Sequence, residues 1–327
     1  MTELRTVRAT GPADLLALVP TFLGFHPADS VVLVTLGSAP SPVHARVDLP
    51  GDPEDAEGLA AHLAGVVDRN GVGAVALLLY TDDAALAATV VDALVPRLAE
   101  VRCAVRCAAR ADGERWWLLG RPEQGPGTPY DLGTHPLTAE AVVEGRVMLA
   151  SRAELAGTLV GDPAEVEEVE TWLDEAADRL VPLLPSREHL VVEGRWVRHR
   201  VRRHLADGRR LDASDVARLL LLLHATVELR DVAWAEMHHG NAREHVTLWL
   251  DIVRRSPVEL RAAPASLLGF AAWLSGRGAL AWCAVERAQE AQPGYGLAGL
   301  LSTALAGGVP PSAWEPLGPE HLTLFAG

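Results

Sequence analysis

The sequence predicts an α/β domain followed by an all-α domain: an N-terminal mixed β-sheet α/β domain over residues 1–135, then a helical, repeat-like domain of stacked helical hairpins over 136–327. Three observations carry this. Apolar runs of strand length alternate with capped helical stretches as far as about Leu119. The stretch from Gly120 to about His135 is rich in proline and glycine, as a linker or a functional lid is. Beyond it the pattern is helical throughout, with no convincing strand. A chain of 327 residues is also longer than a single core usually supports.

Leu4 to Ala9 reads as an edge strand. Thr10-Gly11-Pro12, with Asp14 behind it, opens a helix, since proline is tolerated in a first turn; Gly24 ends it. Ser30 to Leu36 is an unbroken apolar run of buried-strand length. After the Gly37-Ser38-Ala39-Pro40-Ser41-Pro42 loop, Val43 to Leu49 alternates apolar with polar residues, and the two runs read as an antiparallel hairpin. Asp52-Pro53-Glu54-Asp55 supplies a cap, a first-turn proline and first-turn acids for a helix to about Arg69. Val72 to Tyr80 is the most apolar run and the expected central strand. Thr81-Asp82-Asp83 caps the next helix, to about Leu98. Val101 to Arg110 and Arg115 to Leu119 flank an Asp-Gly turn, so a second hairpin is expected. Thr138 onward is helical, and Ser151-Arg152-Ala153-Glu154 has the form of a capping box. Near residues 215–307 a tryptophan, a glycine turn, an alanine-rich helix and a closing proline occur twice, at Trp234 to Pro257 and Trp273 to Pro293, as in tetratricopeptide-like (TPR-like) hairpins.

Composition excludes several chemistries. Every basic side chain other than histidine is arginine, so a Walker A loop, a Schiff base and a serine–lysine dyad have no lysine to use. The formal net charge of −14 argues against nucleic acid as a partner. No apolar run reaches the roughly 18 residues of a membrane helix, and the first residues lack a signal-peptide pattern, so a cytoplasmic location away from membranes is expected. Cys103 and Cys107 lie four apart in an expected strand, on one face and about 13 Å apart, too far for a disulfide. Neither Gly71-x-Gly73 nor Gly125-x-Gly127 completes a dinucleotide fingerprint, and no metal motif is evident, so no cofactor and no metal are expected.

The block Leu23-Gly24-Phe25-His26-Pro27-Ala28-Asp29-Ser30-Val31-Val32, with Ala139 to Leu155 and with Ala271 to Leu274 and Leu297 to Leu301, resembles an actinobacterial family catalogued as domain of unknown function four-one-nine-two. The likeness covers most of the chain and implies no particular reaction, cofactor or catalytic residue.

Four groups of residues bear chemistry. His26, Asp29 and Ser30 combine an imidazole, a carboxylate and a hydroxyl at the mouth of a strand, the raw material of catalysis, although the same residues serve equally to hold a turn. Asp82 and Asp83 follow the central strand and suit a ligand or a helix cap; Tyr130 and Asp131 lie in the loop that would cover them. His238, His239 and His245 form the densest histidine cluster and read as polar loop residues. Arg198, Arg200, Arg202 and Arg203 form an interaction face, expected to dock on the acids Glu167, Glu170, Asp174 and Asp178. With no complete catalytic motif, the sequence reads as a non-enzymatic binding or scaffold protein acting through protein–protein interaction, with a protein partner or by self-association as a homo-oligomer. The alternative is a small-molecule or nucleotide-binding α/β protein, in one form a hydrolase, with a site near His26, Asp29 and Asp82.

Overall fold

In a computed structural model, residues 9–37, 43–120, 125–318 and 322–325 are described. All of the expected strand at Leu4 to Ala9 but Ala9, and most of the Gly37 to Pro42 loop, lie outside them. The chain forms two compact units, one of residues 1–152 with 306–310, the other of 153–305 with 311–327.

The first unit is a six-stranded sheet with helices on both faces. Its elements run α1 (Pro12–Leu23), β1 (Ser30–Thr35), β2 (His44–Asp48), α2 (Ala56–Arg69), β3 (Ala74–Tyr80), α3 (Ala84–Glu100), β4 (Ala104–Ala111), β5 (Arg115–Leu118), β6 (Thr128–Pro129) and α4 (Pro136–Val143). Strand order is β2-β1-β3-β4-β5-β6. Only the β3–β4 pair is parallel, and the β1–β2 and β4–β5 hairpins form as the turn chemistry predicts. β3 is central and buried along nearly all its length, which is why its residues are apolar on both faces.

One core lies between the sheet and α2 with α3, built from Val31, Leu33, Leu63, Leu77, Leu79, Val90 and Leu94. The other lies under α1, from Leu16, Val19, Val32, Leu78 and Tyr80. A bulge in β4 sets the division of its side chains: Val75 pairs with Val105, but Ala76 pairs with Cys107, leaving Arg106 as the extra residue. The inserted residue inverts the alternation. Cys103 therefore belongs to the α2/α3 core while Cys107 packs against the α1 core, and the expectation of a shared face does not hold. Both thiols are free, and burial pushes each one's pKa up.

The proline- and glycine-rich stretch, apart from residues 121–124, is not structureless. Thr128–Pro129 adds a sixth strand to β5, Tyr130 and Leu132 pack on the α1 core, and α4 packs on α1.

The second unit contains no strand among its described residues. It comprises α5 (Arg152–Gly157), α6 (Pro163–Leu180), α7 (Arg187–Asp207), α8 (Ala213–Ala225), α9 (Val227–Trp234), α10 (Ala242–Arg255), α11 (Ala262–Leu274), α12 (Gly278–Ala291) and α13 (Gly296–Ala306). The hairpin expected at Trp273 forms: α11, buried on every side, turns at Gly276 and packs against α12. At Trp234 the local pattern is the same but the packing differs, because α9 lies on α7 and α8 while α10 lies on α11.

Candidate functional site

One edge of the sheet gathers most of the polar residues singled out by the sequence. The register aligns Asp48, Ser30, Tyr80, Ala111, Trp116 and Thr128 in a single row across six strands. Because β1 is antiparallel to β3, the start of β1 shares this edge with the carboxyl ends of β2, β3 and β4. Strand carboxyl ends are where open α/β sheets bind ligands. The turns Pro27 to Asp29, Thr81 to Asp83 and Asp112 to Glu114 all open here.

Most of those turns are spent on backbone. His26 donates its backbone N–H to the Leu149 carbonyl, and the Asp29 carbonyl accepts from Leu49 N–H. Asp29 holds a left-handed backbone, φ 42°, with its side chain exposed. No hydrogen bond joins His26, Asp29 and Ser30 side chains, so the three do not form a catalytic relay. Asp83 caps α3 by accepting from Leu86 N–H at 2.9 Å. Asp131 accepts from Gly133 N–H and Thr134 Oγ1, which holds the loop's own turn. Asp82 is exposed and contributes its carbonyl, not its carboxylate, to the site.

Residues that the sequence reading passed over do more. Arg110, next to last in β4, is only 6% exposed. Its guanidinium lies 3.9 Å from the Trp117 ring centroid, and its Nη1 donates to the Thr81 and Asp82 carbonyls at 3.2 and 3.4 Å. No carboxylate lies at ion-pair distance from it among the described residues; against desolvation, the backbone N–H groups of Arg115 and Glu114 and then the Arg110 charge lower the pKa of Asp112 nearby. Trp117 in turn is packed by Gly127: this glycine has φ 74°, and a Cβ there would overlap the indole. Arg115 holds the same loop by donating to the Pro126 and Gly127 carbonyls at 2.9 and 3.0 Å. Beside this pair is a cavity of about 250 Å³, lined among the described residues by Ala84, Ala88, Val91 and Asp92 of α3 and by Arg110 and Trp117 through Gly120. The hairpin register Arg110 opposite Trp117 was the available sequence signal, since the arginine nearest the Asp-Gly turn met an aromatic across it.

On the opposite face of the same edge, Ser30 Oγ, Tyr80 Oη and Trp116 Nε1 are buried without a hydrogen-bond partner. Burial, and the neighbouring Tyr130 phenol, hold the Tyr80 hydroxyl well above its ordinary pKa.

In the second unit the arginines of α7 are paired, but not with the acids of α6. Arg198 and Arg202 both reach Glu236, Arg200 reaches Asp215, and Arg203 reaches Asp207. The expected docking on Glu167, Glu170, Asp174 and Asp178 fails because α7 packs on α9 and α10, whereas α6 packs on α8 and α10. An open cleft of about 510 Å³ lies beside Arg198, Arg202, Glu236 and His238, where the two arginines share the one carboxylate of Glu236. His245 is no loop residue. It is fully buried in α10, where Nδ1 accepts from Trp249 Nε1 at 3.2 Å and Nε2 donates to the Glu236 carbonyl at 3.2 Å.

Among the described residues no group of histidine, cysteine, aspartate and glutamate side chains is arranged to hold a metal ion, and no helix is long and apolar enough to cross a membrane. Comparison with curated proteins and with solved structures yields no match. A family model, domain of unknown function DUF4192, matches residues 12–312, and the chain belongs to that family.

Proposed function

We propose that this protein binds a small anionic metabolite, with a carboxylate as the recognised group, in the Arg110–Trp117 cavity at the carboxyl edge of the sheet. The observation that carries the reading is a buried arginine with no carboxylate at ion-pair distance among the described residues, compensated only by the charge of Asp112 further off, and with only Nη1 hydrogen-bonded to the protein. A buried cation of this kind is costly unless something compensates it. The remaining nitrogens form a planar fork suited to a carboxylate. Walls of Ala84, Ala88, Val91, Leu118 and Leu119 exclude water from one side of the guest and strengthen the pairing. Among its described residues the lining offers no nucleophile beside a base, so the activity proposed is binding. Small-molecule binding is preferred to docking of a protein partner because the arginines of α7 are already occupied by Glu236, Asp215 and Asp207.

Isothermal titration with hexanoate and with hexan-1-ol tests this. Hexanoate binds and the alcohol does not, and Arg110→Met, checked for folding by circular dichroism, loses the hexanoate signal. Equal binding of acid and alcohol, or no binding of either to the wild type, rejects the reading.

A further inference from the structure

The cavity carries charge at both ends. Ala84, Ala88, Val91 and Asp92 form one stripe along α3, and β5 runs alongside from Trp117 toward Gly120. Arg110 anchors the stripe at its start, through the carbonyls of Thr81 and Asp82. Asp92 lies two turns further along, an exposed carboxylate at the rim with no ion-pair partner among the described residues. Between these two charges the described lining is apolar apart from backbone. We propose that the ligand is an extended zwitterion, its carboxylate on Arg110 and its ammonium on Asp92, joined by an aliphatic chain; this rests on the carboxylate reading above.

Geometry sets the chain length. Eight residues of helix separate Ala84 from Asp92 by about 12 Å. The ligand's charges lie no further apart than about this rise, so the joining chain has roughly six to ten bonds, at about 3.5 Å per three bonds. The cavity, about 250 Å³, has room for a small aliphatic guest such as 6-aminohexanoate. A rim carboxylate in partial contact with solvent adds modestly to affinity and strongly to choice of guest.

Titration of the full chain with butanoate, hexanoate and octanoate, and with their ω-amino counterparts, tests the proposal. For the wild type, 6-aminohexanoate binds about two- to five-fold tighter than hexanoate, and the gain from the amino group is larger at six and eight carbons than at four. In Asp92→Asn the ratio of the two affinities, measured within the variant, falls to about one. Equal affinity for hexanoate and 6-aminohexanoate overturns this proposal while the carboxylate site stands. A gain that survives Asp92→Asn overturns the assignment of Asp92. Binding of no acid at all overturns both readings together.

Discussion

Arg110 and Trp117 face one another across the β4–β5 ladder, guanidinium 3.9 Å from ring centroid, and the pair is closed from the loop side by a residue that has no side chain. The three groups depend on each other: the indole positions the cation, and Gly127 permits the loop to lie on the indole.

Gly127→Ala therefore costs more than its neighbour's equivalent. Both Gly125 and Gly127 have positive φ, but only at Gly127 does an added Cβ meet another atom within contact range. Gly125→Ala is expected to cost about 1 kcal/mol for its backbone alone, and Gly127→Ala about 2–3 kcal/mol with the overlap added. Thermal unfolding of the two variants checks the difference; equal melting temperatures would show that loop and indole are not in contact.

Tyr80→Phe is expected to leave stability unchanged or raise it by up to about 1 kcal/mol, because it removes a buried hydroxyl that has no partner while keeping the ring. Urea unfolding gives the answer. A loss above about 1 kcal/mol would mean that an ordered water bridges the row of Ser30, Tyr80 and Trp116.

The helical unit loses stability in mild acid through His245. Burial pushes this imidazole from its ordinary 6.5 down to about 4. Below pH 6.5 the unfolded chain takes up a proton that the folded chain refuses until about pH 4. Its contribution is thus complete above 6.5, declines as pH falls through the window, and is gone below 4, a loss of about 3 kcal/mol. Wild type and His245→Gln, unfolded in urea at several pH values, should differ in slope by about one proton across that window. Parallel pH profiles would contradict the neutral buried imidazole.

Buried Glu193 and half-buried Arg218 form a bidentate pair, with Nη2 2.8 and 2.7 Å from the two carboxylate oxygens and the guanidinium 4.2 Å from the Trp196 centroid. Glu193→Leu leaves the arginine without its carboxylate and should cost about 1–3 kcal/mol, whereas Glu193→Leu combined with Arg218→Met should cost less than the sum of the two single changes. Denaturation midpoints in a double-mutant cycle decide it; a strictly additive cycle would show that the two side chains do not interact.

The sequence alone determined the elements that depend on neighbours in the chain. Alternation, proline and glycine positions and acidic caps mark β1 to β5, both hairpins and α1 to α3, because turns and caps are bonded within a few residues. The histidine–aspartate–serine corner, Asp83 and Asp131 were legible as polar; Asp83 holds a helix start and Asp131 a bend, while at the corner only the backbone of His26 and Asp29 is bonded. Tertiary structure alone decided what lies across the sheet. The bulge at Arg106 reversed the faces of β4, an effect of one unpaired residue that no periodicity announces. The antiparallel course of β1 brought Ser30 to the carboxyl edge, and the packing of α7 on α9 sent Arg198 and Arg202 to Glu236 rather than to the acids of α6. The cavity beside Arg110 joins residues of α3, β4 and β5, and its existence depends on long-range packing, where the free energy of burial and not local preference selects the arrangement.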